Sequence, residues 1–312
     1  MIELQQVNKY FGAVQVLNDI SFAVNKGEIV GFLGPNGAGK TTTMRILNGF
    51  MPATSGKATV AGYEVDKAPL EVKRRIGYLP ENVSLYNEMT VSEYLDFVAR
   101  AKRLPRREVA GKVSRVCLQC GIDHVANRLI GPLSKGYKQR VGLAQAIINE
   151  PEVLIMDEPT TGLDPVQIIE IRELIRSFAG EHTIIISTHI LQEVSAICRR
   201  VIIINDGRIV AEDSLANLTG DSTTGGSLMI RVAGDVTALR DKLDAMDGVV
   251  SIKQSTSEEP GASELIVAVE KDRDIRRAVA ETVVGSGCGL LELRPIRLSL
   301  EDIFMQTITR NV

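Results

Sequence analysis

Tryptophan is missing from this 312-residue chain, and aromatic residues make up only 4% of it. So few flat rings argue against the stacking platforms on which proteins hold single-stranded nucleic acid. The excess of positive charge that a phosphate backbone calls for is also missing: 36 Lys and Arg stand against 39 Asp and Glu, a net charge of −3. Both absences disfavour nucleic acid as a partner. Cysteine is scarce, and Cys117, Cys120, Cys198 and Cys288 are too scattered for a disulfide framework, which suits a reducing compartment. The Cys117-x-x-Cys120 spacing has no second pair to complete a metal site and reads as two neighbours on one helix face. No apolar run approaches the roughly 18 residues of a membrane span, and no N-terminal stretch resembles a signal peptide. We therefore expect a soluble chain, which at a membrane would need another subunit to supply the spans.

With 44% hydrophobic and 24% charged residues, the composition is that of a globular protein able to bury a large core. Short Ile- and Val-rich runs at 28–33, 153–156, 183–187 and 201–204 read as buried strands of an α/β sheet. Between about 82 and 132 the pattern changes to helices with polar faces, at 91–102 and 107–120, so a helical subdomain is expected there. Residues 219–227, TGDSTTGGS, form a small polar stretch expected to act as a linker. Strands at 228–232, 249–254, 265–269 and 290–293 and helices at 235–246 and 272–284 then follow in the order β-α-β-β-α-β, consistent with a ferredoxin-like α+β module. SLEDIFMQT at 299–307 is expected to be a closing helix capped by Ser299.

The segment EIVGFLGPNGAGKTT carries the most specific signal. Gly34, Pro35, Asn36, Gly37, Ala38, Gly39, Lys40, Thr41 and Thr42 follow a strand and open a helical stretch at 42–48. Glycines let such a loop curl so that successive N–H groups face a β-phosphate, Lys40 reaches the β- and γ-phosphates, and the Thr41 hydroxyl binds Mg²⁺. About a hundred residues later, VLIMDEPTTGLD ends an apolar strand in two carboxylates, Asp157 and Glu158. At the carboxyl end of a parallel strand they face the crevice where ligands bind, and period-two alternation is expected to send them to different sides. Asp157 is suited to hold Mg²⁺ and its waters, and Glu158 to polarise an attacking water as general base. A second helix mouth, LSKGYKQR from Leu133 to Arg140, is a further candidate anion site with no nucleotide of its own to serve.

Over about residues 1–215 these segments together resemble the ATP-binding subunits of ABC transporters. The resemblance implies a P-loop NTPase fold, a RecA-like core plus an antiparallel β part with an inserted helical signature subdomain. Residues 1–218 would be the nucleotide-binding domain and 228–312 the accessory domain. In this family Leu133, Ser134, Lys135, Gly136 and Tyr137 match the signature segment. Two nucleotide-binding subunits pair head to tail, and the signature of one closes the ATP held on the phosphate loop of the other. Ser134 and Gly136 would donate to the γ-phosphate across that dimer, while Lys135 and Tyr137 depart from the usual LSGGQ. His189 matches the switch histidine that contacts the γ-phosphate and orients the water. Gly162, Leu163 and Asp164 resemble the D-loop along the dimer interface.

KYFGAVQVLNDISF resembles the segment whose aromatic stacks on adenine, with Phe11 in that place and Tyr10 as the alternative. GYLPENVSLYNEMT aligns with the Q-loop, but Glu81 stands where the family has glutamine. A carboxylate can still hold Mg²⁺ or a water there, while adding negative charge beside the phosphates. Residues 82–90 would lie beside a membrane permease. GYLPE, LSKGYKQR and the ending SLEDIFMQT together resemble ABC-2 type exporters, most of all gliding-motility ATP-binding subunits. The resemblance implies an ATPase that dimerises on MgATP and drives a separate integral-membrane permease from the cytoplasmic face. Two other readings are an ATP sensor with little turnover, suggested by Glu81 and Tyr137, and a soluble ABC ATPase acting on ribosomes or DNA. A single cassette without a long coiled-coil insert disfavours the latter.

Overall fold

The structure, a computed structural model, describes residues 1–214, 227–234, 236–256, 261–270 and 273–296. The chain divides into two compact units, Met1–Asp213 and Ser214–Val312. Nearly the whole stretch expected as a linker, and the expected closing helix at 299–307, lie outside the described residues.

In the first unit, alternation of apolar and polar residues builds an antiparallel sheet from β1 (Ile2–Phe11), β2 (Val14–Val24), β4 (Ser55–Val60) and β5 (Tyr63–Glu64), in the order β2-β1-β4-β5. Ile2, Leu4 and Val7 of β1 and Leu17, Ile20 and Phe22 of β2 turn inward, a period of two interrupted once in each strand, where Gln6 and Asp19 take positive φ. A second sheet of six strands runs β10-β9-β3-β8-β7-β6. Its members are β3 (Ile29–Leu33), β6 (Ile76–Leu79), β7 (Val153–Asp157), β8 (Thr183–Thr188), β9 (Arg200–Asn205) and β10 (Arg208–Ser214). β7 and β8 are buried along their whole length, the continuous apolar pattern of strands covered on both faces. Helix α1 (Lys40–Leu47) shares a core with both sheets, where Phe32, Met44, Leu47, Val153, Ile185 and Ile202 pack with the inner face of β1 and β2. The helix starts at Lys40, two residues before the helical stretch expected from sequence, so the phosphate-loop lysine itself opens its first turn.

Parallel pairing of β6 with β7, β7 with β8, and β8 with β3 brings four carboxyl ends to one edge. Leu33 lies opposite Thr188, and Asp157 opposite Ser187, so the residues that follow each strand emerge side by side. Ligands of open α/β sheets bind at such an edge.

A short helix, α2 (Pro69–Arg75), leads into β6. The helical part comprises α3 (Val91–Ala101), α4 (Arg106–Gln119) and, after a short 3₁₀ turn at Asp123–Val125, α5 (Lys135–Ile147). Thr90 and Glu93 form a reciprocal capping box at the start of α3. α5 lies so close to β6 that a Cβ on Gly77 would stand 2.2 Å from the Ala146 carbonyl oxygen. Two more helices, α6 (Pro165–Ser177) and α7 (Leu191–Ile197), follow β7 and β8.

The second unit consists of β11 (Ser227–Ala233), α8 (Thr237–Asp244), β12 (Val249–Thr256), β13 (Ala262–Val269), α9 (Arg276–Gly285) and β14 (Gly289–Ile296). Its antiparallel sheet runs β12-β13-β11-β14, the strand order of a ferredoxin-like module. Ile230, Val232, Leu265 and Val267 meet Leu239, Leu243, Val279 and Val283 of the two helices in a core of its own.

Candidate active site

The phosphate loop curls because two of its glycines have no alternative. A Cβ on Gly34 would lie 2.4 Å from the Ile204 carbonyl of β9, and Gly39, at φ +106°, would push one to 2.6 Å from Leu17 of β2. Outer bonds hold the curl: the Gly34 amide donates to Thr188 O at 3.4 Å, and Gly207, in the turn after β9, donates to Ala38 O at 3.1 Å. Lys40, only 6% exposed, donates to the carbonyls of Gly34 at 2.8 Å and Pro35 at 3.2 Å. At 3.4 Å from its ammonium lies Oε1 of Glu158.

Glu158 stands just past the end of β7, with φ at +50°. The left-handed turn, rather than the alternation expected from sequence, separates it from Asp157, because the strand has ended before Glu158. Asp157 is buried and accepts a hydrogen bond from the Ser187 hydroxyl. Glu158 turns to the other side, where His189 Nδ1 lies 2.7 Å from Oε2 and the Thr161 hydroxyl donates to the same oxygen at 3.0 Å. A buried carboxylate is tolerable under these conditions, with a cation close by and donors on its remaining lone pairs.

Val16, Asn36, Gly37, Gly39, Lys40, Thr41, Thr42, Glu81, Glu158, Thr161 and His189 surround one cavity of about 360 Å³. Four motifs far apart in sequence therefore meet there: the phosphate loop, Glu158 of the carboxylate pair, the Glu81 segment and the histidine. Val16 and Thr161 lie inside two of the quoted segments, with no role expected for either from sequence. Negative charge accumulates around the site: burial first, then the nearby carboxylates of Asp157 and Glu81, push the Tyr78 phenol up to about 12. Phe11 lies at the end of β1, 48% exposed, with the Lys9 ammonium 5.2 Å from its ring centroid, and Tyr10 is similarly exposed.

The second helix mouth has a cavity of its own, about 370 Å³, lined by Ser134, Gly136, Tyr137, Arg140, Gln167 and Glu170 among others. Ser134 is the N-cap of α5, and its oxygen accepts from the Tyr137 amide at 3.4 Å, which leaves its hydroxyl proton free to donate. The Tyr137 hydroxyl lies 3.0 Å from His124 Nε2. Arg140 is already engaged, at 2.9 Å from the Cys120 carbonyl and 2.8 Å from Glu170. Leu133 leads into the mouth, its amide donating to Ile130 O. Gly136 packs on Gln167, and a Cβ on Gly162 would stand 2.3 Å from the Lys135 ammonium. The segment Gly162, Leu163, Asp164 thus touches the start of α5 within one chain, and Asp164 caps α6 by accepting from the Gln167 amide at 2.9 Å. Arg140 was inside the quoted motif, but Gln167 and Glu170 carried no signal beyond helical periodicity.

Comparison with known proteins agrees with this geometry. Residues 17–161 match the ABC transporter family. The ABC transporter ATP-binding protein NatA of Bacillus subtilis is 39% identical over 207 residues, 66% of this chain and 84% of that one. The linearmycin resistance ATP-binding protein LnrL of the same organism is 31% identical over 314 residues, covering 100% of this chain and 99% of that one. A solved structure of the ATP-binding subunit of an ABC transporter superposes with a TM-score of 0.64 at 31% identity, over 71% of this chain and 92% of that one. The chain belongs to the ATP-binding subunits of ABC transporters, and it is an ATPase.

Proposed function

We propose that this chain binds MgATP on its phosphate loop, pairs head to tail with a second nucleotide-binding subunit, and hydrolyses ATP to drive a separate membrane permease. The observation that carries the reading is the unlike content of the two cavities, one with an ammonium, a carboxylate and an imidazole in mutual contact, the other with a helix mouth whose one carboxylate, Glu170, is paired with Arg140. In this account Gly34 to Thr42 wrap the phosphates with backbone N–H groups. Lys40 exchanges its bonds to the Gly34 and Pro35 carbonyls for phosphate oxygens. Glu158 then loses Lys40 as its counter-ion and is free to take a proton from water. His189, held by Glu158 through Nδ1, keeps Nε2 for the γ-phosphate. Ser134 and Gly136 at the mouth of the partner's α5 close the far side of the phosphates, where the positive end of the helix favours an anion. Gly162, Leu163 and Asp164 would lie along the interface, and Phe11, or Tyr10, would stack on adenine.

A hard divalent cation suits the oxygens present. The Thr41 hydroxyl and the carboxylates of Asp157 and Glu81 would hold Mg²⁺, Thr41 and Glu81 lining the cavity and Asp157 being fixed by Ser187. Among the described residues no group of three or more His, Cys, Asp or Glu could hold a metal by itself, which fits a cation completed by the nucleotide's own oxygens. When bound, it would neutralise charge developing on the phosphates.

Among the described residues no helix is long and apolar enough to cross a membrane. The permease is proposed as a separate chain of the ABC-2 type, holding this subunit on the cytoplasmic face through residues 82–90. Export is the favoured direction, supported by a relative matched end to end that is named for linearmycin resistance. The gliding-motility likeness concerns subfamily only. The linker at 219–227 and the accessory module from 228 complete the proposed domain plan, 1–218 being the nucleotide-binding domain. Light scattering on Glu158→Gln with and without MgATP tests the pairing: the mass is expected to double on MgATP, and an unchanged mass with nucleotide bound would overturn it.

A further inference from the structure

Glu193 lies on α7, four residues past His189, and is 2% exposed. No motif marks it. Its two carboxylate oxygens serve two different segments. Oε1 accepts the hydroxyl of Thr160, two residues after Glu158, and Oε2 accepts the hydroxyl of Thr188 at 2.7 Å, immediately before His189. Thr188 Oγ1 in turn accepts the Ile190 amide at 3.0 Å, which fixes its proton toward Glu193. Since Glu158 and His189 touch at 2.7 Å, the contacts close a ring: Glu158 through Pro159 to Thr160, across Glu193 to Thr188, and back by His189. Thr160 O also accepts the Leu163 amide at 3.2 Å, so the ring extends into the Gly162 to Asp164 segment.

Burying a carboxylate to fill space is an expensive choice when Leu or Met would pack as well. Burial holds the Glu193 carboxyl above its usual range, opposed by the Thr188 hydroxyl and by the positive charge of Arg172 on α6. What a carboxylate supplies that an apolar side chain cannot is two acceptors at a fixed separation, one for each hydroxyl.

Resting on the function proposed above, we infer that Glu193 is a positioning residue: by tying Thr160 and Thr188 to one carboxylate it keeps Glu158 and His189 in register. Displacement of the Gly162 to Asp164 segment is then transmitted to the histidine as well as to the base. Glutamine at 193 keeps the shape but replaces one acceptor by an NH₂ donor, so one of the two hydroxyls must turn from donor to acceptor and the matched pair of acceptors that ties Thr160 to Thr188 is lost.

The test combines kinetics with a crystal structure of the full chain. Glu193→Gln is expected to lower kcat on the order of 10- to 100-fold, since small misplacements of reacting groups carry such losses, with KM for ATP within about twofold. In a His189→Ala background the same change is expected to cost no more than about twofold, because residues acting as one unit are not additive. Thr188→Val should reproduce the loss and Thr188→Ser should restore turnover, which keeps the test open if Glu193→Gln fails to fold. Independently of turnover, the crystal structure of Glu193→Gln is expected to show the Glu158 to His189 contact opened from 2.7 Å to beyond hydrogen-bond range. Wild-type kcat in Glu193→Gln, a full multiplicative loss in the His189→Ala background, or an unchanged contact in the crystal would each overturn the inference. A wild-type chain that binds ATP without hydrolysing it would count against the function proposed above, and the crystal structure would then decide the role of Glu193 by itself.

Discussion

Two cavities of nearly equal size in the first unit, about 360 and 370 Å³, are furnished in opposite ways. At the phosphate loop an ammonium, two carboxylates, an imidazole and three threonine hydroxyls converge from four segments. At the start of α5 there is a capping serine and a glycine, and the strongest cation, Arg140, is spent on Cys120 and Glu170. The first cavity brings together the ammonium, carboxylate and imidazole that in the proposed function activate a water. The second offers donors at a helix mouth, and its one carboxylate, Glu170, is held by Arg140. In the proposed dimer each cavity would supply what the other lacks.

The comparison can be broken from either side. The largest effect belongs to Glu158→Gln, which keeps the shape and hydrogen-bonding reach of the side chain but removes the base. Turnover should fall on the order of 10³-fold while ATP binding persists, measured by phosphate release and nucleotide titration. Ser134→Ala should leave binding to the isolated chain unchanged and lower turnover on the order of 10- to 100-fold, the worth of one hydrogen bond to a charged group. An equal loss of binding in both variants would erase the distinction between the cavities.

Two smaller predictions concern the support of the second cavity. Gly77→Ala places a methyl against the Ala146 carbonyl between β6 and α5 and should cost about 1–3 kcal/mol in urea unfolding. Lys102, at the end of α3, reaches Asn149 at 2.6 Å and is half-buried, and burial draws its ammonium from 10.5 down to about 8. The unfolded chain therefore binds this proton more tightly between those values, so stability should rise with pH across that window, and the penalty is felt in full below it. Lys102→Met should flatten that rise in unfolding midpoints compared at about pH 7.5 and 9.5.

Sequence made the first cavity far more legible than the second. A phosphate loop after a strand, paired acids ending another and a histidine ending a third are local patterns, and parallel pairing then brings their ends together. Asp164 was legible only through its likeness to the D-loop, and the structure adds that it caps α6. β6 escaped notice because four residues containing Gly77 are too short to show a period, although a core strand precedes the helical part. β1 shifts register between Leu4 and Lys9 and has Gln6 at φ +49°, which breaks the alternation that would have announced it. Glu193 reads in LQEVSAI as an ordinary helix-surface acid, and only the fold reveals that Thr160 and Thr188 stand on either side of it. The contacts of Lys135 with Gly162 and of Gly136 with Gln167 join residues about thirty apart, beyond the reach of any local pattern.

The central claim is that the reacting groups and the closing helix come from different copies, and mixing two disabled proteins tests it most directly. Glu158→Gln and Ser134→Ala, combined before nucleotide is added, would form mixed dimers in which one composite site has both an intact base and an intact signature. Phosphate release from the mixture should then exceed the sum of the two proteins measured alone, approaching about a quarter of the wild-type rate if copies pair at random. A rate no greater than that sum, with mixed dimers shown to form, would contradict the account.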